Sequence, residues 1–290
     1  AESPSLKSAT YGAPRRLRGG YLNKEKNMYK KILFSMMGVV LTAAVVFASD
    51  TLKVRASQDY ISMEAEIAEP FNTLVVNGDI DVVFDQQEEV SARVYGSENL
   101  VKLVRVNVNK GSLYIGFDQP VIIRGRKDLQ VRVTGPELSK IVTSDKGEVE
   151  IPRGLITQDL EIEASDRSEV SLKRVEAENI LVNASGRADV SVERILKANT
   201  LVARSSGHAE LEFSGAADKV ELENRSREDI DAGDLRAQFV TASAYGWGDI
   251  SCRASEKLTA STHSWGKVEY EGFPKELHKS GKTNRIVRED

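Results

Sequence analysis

Seven residues occupy the third position of a recurring turn phrase: Lys146, Arg167, Arg187, His208, Arg227, Trp247 and Trp265. Their spacings are 21, 20, 21, 19, 20 and 18 residues. The first five are cationic or can become so, which suits carboxylate, sulfate or phosphate groups. The last two are the only tryptophans in the chain, and an indole offers a flat face to a sugar ring or a cation. Two residues further on runs a second column, Glu148, Glu169, Asp189, Glu210, Asp229, Asp249 and Lys267, acidic at six of its seven places. Two readings stand side by side. If positions i and i+2 share a face, the basic column neutralises the acidic one, and the result is a surface lattice of individually weak ion pairs. Alternatively the seven residues form a binding ladder that edges an elongated groove, with basic groups meeting acidic sugars or lipid head groups and Trp247 and Trp265 stacking on a sugar. A calcium ladder on the acids is a third reading, although the calcium-binding Gly-Gly-x-Gly-x-Asp repeat is missing.

Such columns need elements that repeat in register. Behind each turn phrase comes an apolar residue: Val149, Val170, Val190, Leu211, Ile230, Ile250 and Val268. Ten residues before the last six lies another, in turn Leu160, Ile180, Leu201, Val220, Val240 and Leu258. Between the two sit small polar turns such as Ser165-Asp166-Arg167-Ser168 and Ser206-Gly207-His208-Ala209. Each unit therefore has two short apolar pieces alternating in and out, as in Leu160-Glu161-Ile162-Glu163-Ala164, too little to bury a face alone. A period near 20 residues with this content predicts an all-β chain wound as a β-solenoid, each coil stacked about 4.8 Å above the last. Six such steps lay the seven-residue ladder along roughly 29 Å. The fifth unit, Arg225-Ser226-Arg227-Glu228, lacks Gly and Ala, so its corner is expected to bulge.

Composition excludes some classes. With 40 basic and 44 acidic residues the net charge of −4 argues against a nucleic-acid partner. The single cysteine, Cys252, falls in an inward column with Ile151, Leu172, Val192, Phe213 and Tyr270, and reads as a small buried hydrophobe. The three histidines have no metal-ligand spacing, and no Gly-x-Ser-x-Gly elbow or phosphate loop occurs. No cofactor is expected. The rival reading is a polysaccharide-acting β-helix enzyme, a lyase or glycosidase. The acidic column offers it many carboxylate pairs, but the repeat itself accounts for those acids.

Along the chain, residues 1–27 read as disordered; alternatively translation starts at Met28. Residues 28–48 have the order of a secretory signal peptide: Lys30-Lys31, an apolar run from Ile32 to Phe47, and small residues before Ser49. The mature chain would begin near Ser49, exported without an anchor or a stable membrane span, to the periplasm or the outer surface. Residues 49–69 read as a linker and 70–136 as an irregular β section that caps the solenoid. Within it, Asn77-Gly78-Asp79 reads as a hairpin turn, and Glu98 to Val104 as one short helical turn. Residues 137–290 are the regular repeats with a C-terminal cap. A rod of this kind is compatible with a homo-oligomer.

The phrase Gly78-Asp79-Ile80-Asp81-Val82, the serial Ser-Gly-x-Ala turns and the closing Tyr270-Glu271-Gly272-Phe273-Pro274 resemble a family of exported bacterial proteins common in Bacteroidetes. It is the putative auto-transporter adhesin, head GIN domain family, and the resemblance covers about residues 70 to 286. It implies a right-handed single-stranded parallel β-helix, export from a Gram-negative cell, and a non-enzymatic adhesive or structural role. With the ladder, that role makes a glycan or another envelope or host surface component the expected partner.

Overall fold

The computed structural model describes residues 51–125 and 127–289. The expectations for residues 1–27 and for a signal peptide at 28–48 lie outside them. The repeats form a β-solenoid of about seven turns, spaced some 20 residues apart. The apolar column predicted behind the turns is continuous: Val149 pairs with Val170, Val170 with Val190, Val190 with Leu211, and onward through Ile230 and Ile250 to Val268. The column ten residues earlier is equally continuous, Leu160 beneath Ile180, Leu201, Val220, Val240 and Leu258. All of these side chains are buried. Stacking like on like lets each strand bury one face while its backbone groups are paired on both edges.

Each coil has three sides rather than the two legible in the repeat. A short third piece, Leu155–Ile156, pairs with Val175–Glu176, and its column continues through Ile195, Gly215 and Leu235. Two residues per coil are too few to show alternation, so sequence pattern passed over this side.

The coil also begins earlier than the regular phrases suggest. Thr73–Asn77 runs parallel to Lys140–Ser144, and Asp81 to Val83 runs parallel to Glu148 to Glu150. The Asn77-Gly78-Asp79 turn is therefore a solenoid corner and not a hairpin. Each of its strands finds its partner some 67 residues later, which local alternation cannot reveal. Covering this first coil are Ser112–Phe117, parallel to Thr73–Asn77 and antiparallel to Val104–Asn109, and Leu129–Gly135, which pairs with Asp81–Gln86. Ser91–Ser97 then joins antiparallel to Leu129–Gly135 and to Tyr60–Ala65. The expected helical turn is present as Glu98–Val101.

At the other end the tail adds one more coil, Glu276–Gly281 above Ile250–Thr262 and Ile286–Arg288 above Val268–Glu271. Its outer edge is exposed along all six residues of Glu276–Gly281. Cations cover the rings beneath it: Lys279 Nζ lies 5.1 Å from the Tyr270 ring and the Arg288 guanidinium 3.6 Å from that of Phe273. Charged side chains on a bare edge discourage the addition of further strands.

Candidate functional site

The corner that carries the seven-residue ladder is built by backbone conformation. Asp145, Asp166, Gly186 and Gly207, each immediately before a ladder residue, have φ of 61°, 63°, 75° and 78°. That left-handed turn admits Gly and, less readily, Asp, which explains the Ser-Asp and Ser-Gly phrases. The corners then bond to one another. The N–H of Arg167 donates to the carbonyl of Asp145, Arg187 to Asp166, His208 to Gly186, Arg227 to Gly207, Trp247 to Ser226 and Trp265 to Gly246. Six equivalent bonds set Lys146, Arg167, Arg187, His208, Arg227, Trp247 and Trp265 in one unbroken row.

In the fifth unit the left-handed residue disappears, and a buried amide takes over. Asn224 is 0% exposed. Its Nδ2 donates to the carbonyls of Glu228 and Asp249, each at 3.0 Å, while its Oδ1 accepts from the Ser226 N–H and the Ser205 hydroxyl. One side chain thus ties three successive coils.

The acidic column is also a true row: Asp81 pairs with Glu148, Glu148 with Glu169, Glu169 with Asp189, and Asp189 with Glu210. Its expected neutralisation by the basic row does not occur. Among the described residues, Arg167, Arg187 and Arg227 form no ion pair; Lys146 reaches down its own row to Asp79 at 3.3 Å, and His208 Nδ1 lies 3.5 Å from Glu228. Positions i and i+2 do not share a face here, because the ladder residues stand in the turn itself, outside any strand, while the acids open the next side. Without counter-charges from the ladder, three of the acids shift upward, Glu148 against a partial offset from Lys127. Burial, reinforced by Asp81 and Glu169, holds the Glu148 carboxyl above its ordinary range. Burial alone raises Asp189, and burial followed by Asp189, Glu228 and Asp229 raises Glu210. Further along the tension is relieved: Asp229 Oδ1 accepts the Asp249 N–H at 2.7 Å and Asp249 Oδ1 the Lys267 N–H at 2.8 Å.

At the far end of the ladder the flat side chains meet. The Trp247 and Trp265 rings are 5.9 Å apart and tilted by 31°, with 64% and 56% of their surface exposed. Beside them runs a second row that the turn phrase did not disclose. Tyr245 stacks on His263 at 4.5 Å and 5°, and Arg225 lies over the same Tyr245 ring at 4.3 Å. From the last coil, Lys282 Nζ and the Arg285 guanidinium stand 5.4 and 5.3 Å from the Trp265 ring. Counting two residues back from each ladder position would have found Arg225, Tyr245 and His263. Lys282 and Arg285 had no such signal, because the tail departs from the phrase.

A groove of 470 Å³ lies at the start of the ladder, lined by Asp79, Asp118, Asp145 and Asp166 with Lys146 and Arg167. A groove of 520 Å³ lies along the third side between Leu196 and Phe273, floored by Ala198, Ala217, Ala237 and Ala254. Its one lining carboxylate, Asp218, accepts from Gln238 Nε2. Cys252 points into the core, 1% exposed, and burial pushes its thiol up to about 12. Among the described residues no three His, Cys, Asp or Glu side chains are grouped so as to hold a metal ion.

Residues 70–274 match the family described as putative auto-transporter adhesin, head GIN domain. The chain belongs to this family. A crystal structure of a putative adhesin from Bacteroides fragilis is 27% identical, with a TM-score of 0.63 over 78% of this chain and 95% of that one. A putative adhesin from Parabacteroides distasonis, 21% identical, superposes with a TM-score of 0.72 over 79% of this chain and 98% of its own. A putative lipid binding protein from the same organism, 19% identical, gives 0.70 over 82% and 100%. The latter two share the fold. No protein of curated function matches the chain. Among the described residues of this head GIN domain protein, no helix is long and apolar enough to cross a membrane.

Proposed function

We propose that this head GIN domain protein is an exported, non-enzymatic binding module of a bacterial envelope, adhesin-like in role, that holds glycans against the solenoid corner. The observation that carries the reading is the pair Trp247 and Trp265, more than half exposed on adjoining coils of one row. A large ring left in water without a core to fill favours a partner with a flat apolar face. The family description supports an adhesive role. Catalysis is disfavoured by the placement of the acids. Glycosidic cleavage wants two carboxylates flanking one bond. The groove along the third side is lined by one, Asp218. Of the four that line the groove at the start of the ladder, Asp79 is taken up by Lys127 and Lys146, Asp118 by Arg105, and Asp166 by the Asp145 N–H. The test is binding of the full-length chain to a glycan array and to immobilised polysaccharides. Replacing both tryptophans by Ala is expected to weaken binding about 10- to 100-fold, from roughly 1 kcal/mol lost at each stacking ring. Unchanged binding would refute the reading. Both side chains are exposed, so the variant should keep its fold.

A further inference from the structure

The aromatic end of the corner row has a charge pattern that narrows the ligand, provided that glycans bind there as proposed above. Trp247 and Trp265 are bracketed by cations. One coil before Trp247 stands Arg227, exposed and without an ion pair among the described residues. Beyond Trp265, Lys282 and Arg285 reach back over its ring from the last coil. Lys282 Nζ donates to the Ser264 carbonyl at 2.9 Å and Arg285 Nη1 to the carbonyl of Trp265. These bonds fix both cations in place while leaving other N–H donors open. The nearby carboxylates are engaged elsewhere. Asp229 and Asp249 accept backbone N–H groups, Glu228 faces His208, and Glu223 is bound by Arg225 at 2.5 Å. Tyr245, lying between Arg225 and His263, forms a wall beside the indoles rather than a free stacking face.

We propose that this corner binds an acidic oligosaccharide, with sugar rings against Trp247 and Trp265. Arg227 meets a carboxylate or sulfate at one end, and Lys282 with Arg285 meets another at the opposite end. Three coil steps separate the two cationic positions, about 14 Å. The site therefore suits a chain bearing at least two acidic groups, not a single sugar. An anionic lipid head group would satisfy the cations but leave both indole faces unused.

The experiment measures binding of the full-length chain to a polyuronate or sulfated oligosaccharide, to a neutral oligosaccharide of equal length, and to vesicles rich in phosphatidylglycerol. The acidic sugar is expected to bind most tightly, and less so as salt rises. Arg227→Gln, and separately the pair Lys282→Gln and Arg285→Gln, should each cost about tenfold on the acidic sugar, the worth of one charge-assisted contact, and leave the neutral one unchanged. Among the described residues Arg227 forms no ion pair, so its variant keeps the corner intact. If the double Trp variant loses binding while the Arg227 and Lys282/Arg285 variants still bind acidic and neutral sugars in the wild-type ratio, glycan binding stands and the charge bracket falls. If the double Trp variant binds like wild type, both fall. Failure to bind any acidic oligosaccharide, or vesicle binding that survives loss of both tryptophans, also overturns the proposal.

Discussion

Replacing Glu210 by Gln should stabilise the protein at neutral pH. Glu210 stacks on Asp189 and has Asp229, Glu228 and Glu212 as further like-charged neighbours; no cation partner offsets them among the described residues. Each of the two in-row neighbours, one coil away, repels it by about 0.9 kcal/mol at water's dielectric, or roughly 1.7 together. Exposure, side-chain freedom and salt reduce that, and the expected gain is about 0.5–1 kcal/mol. The pH dependence has a definite sign. A carboxyl raised on folding binds a proton more readily in the native state, so its penalty is absent below the ordinary carboxylate range. The penalty grows as pH climbs through the raised folded value. Urea melts at pH 7 should therefore show a higher midpoint for Glu210→Gln, a smaller difference in high salt, and none in acid. Glu223→Gln, which removes the carboxylate held by Arg225, should instead lower the midpoint slightly. If Glu210→Gln destabilises at pH 7, and a chelator reproduces the loss in the wild type, the row holds a bound cation and the repulsion argument is wrong.

Asn224→Ala should cost about 2–4 kcal/mol, because it strands the Glu228 carbonyl, the Ser226 N–H and the buried Ser205 hydroxyl at once, although the Asp249 carbonyl still accepts the Ile230 N–H; a midpoint shift under 1 kcal/mol in the same melts would mean the corner repairs itself. Protease treatment of intact cells should release fragments of the chain if it reaches the outer surface as an adhesin, and full protection until the outer membrane is opened would place it in the periplasm.

What the sequence disclosed followed from periodicity. Val149 to Val268 and the ladder residues recur at near-constant intervals, and parallel stacking turns interval directly into contact. What it hid depended on partners outside that count. Asn77-Gly78 suits a hairpin and a solenoid corner equally, and only the distant strand Lys140–Ser144 decides between them. The charge lattice failed for a local reason: Arg167 and Glu169 flank a buried corner residue, Ser168, where the chain changes direction. Strand logic assigns i and i+2 to one face, but it does not survive a turn. Tyr245 and His263 escaped because their row reads Ser144, Ser165, Ser185 and Ser206 in the earlier coils and changes character only at Arg225.

The change at that unit bears on function. Below it the corners are left-handed turns bearing flexible cations; above it they are held by Asn224 and by Gly246 and Gly248. A Cβ on Gly246 would come within 2.0 Å of the Ser226 carbonyl oxygen, and one on Gly248 within 1.9 Å of that of Glu228. Both neighbours of Trp247 are thus pressed against the coil beneath, which holds the backbone that carries the indole. Gly266 is packed the same way against the Gly248 carbonyl, at 2.2 Å, beside Trp265. A ring presented from such a backbone loses little freedom when it meets a ligand, whereas a ring on a mobile loop must be ordered first. Gly246, Gly248 and Gly266 bring the backbone beside the two indoles closer to the coil beneath than Gly186 and Gly207 do in the earlier turns.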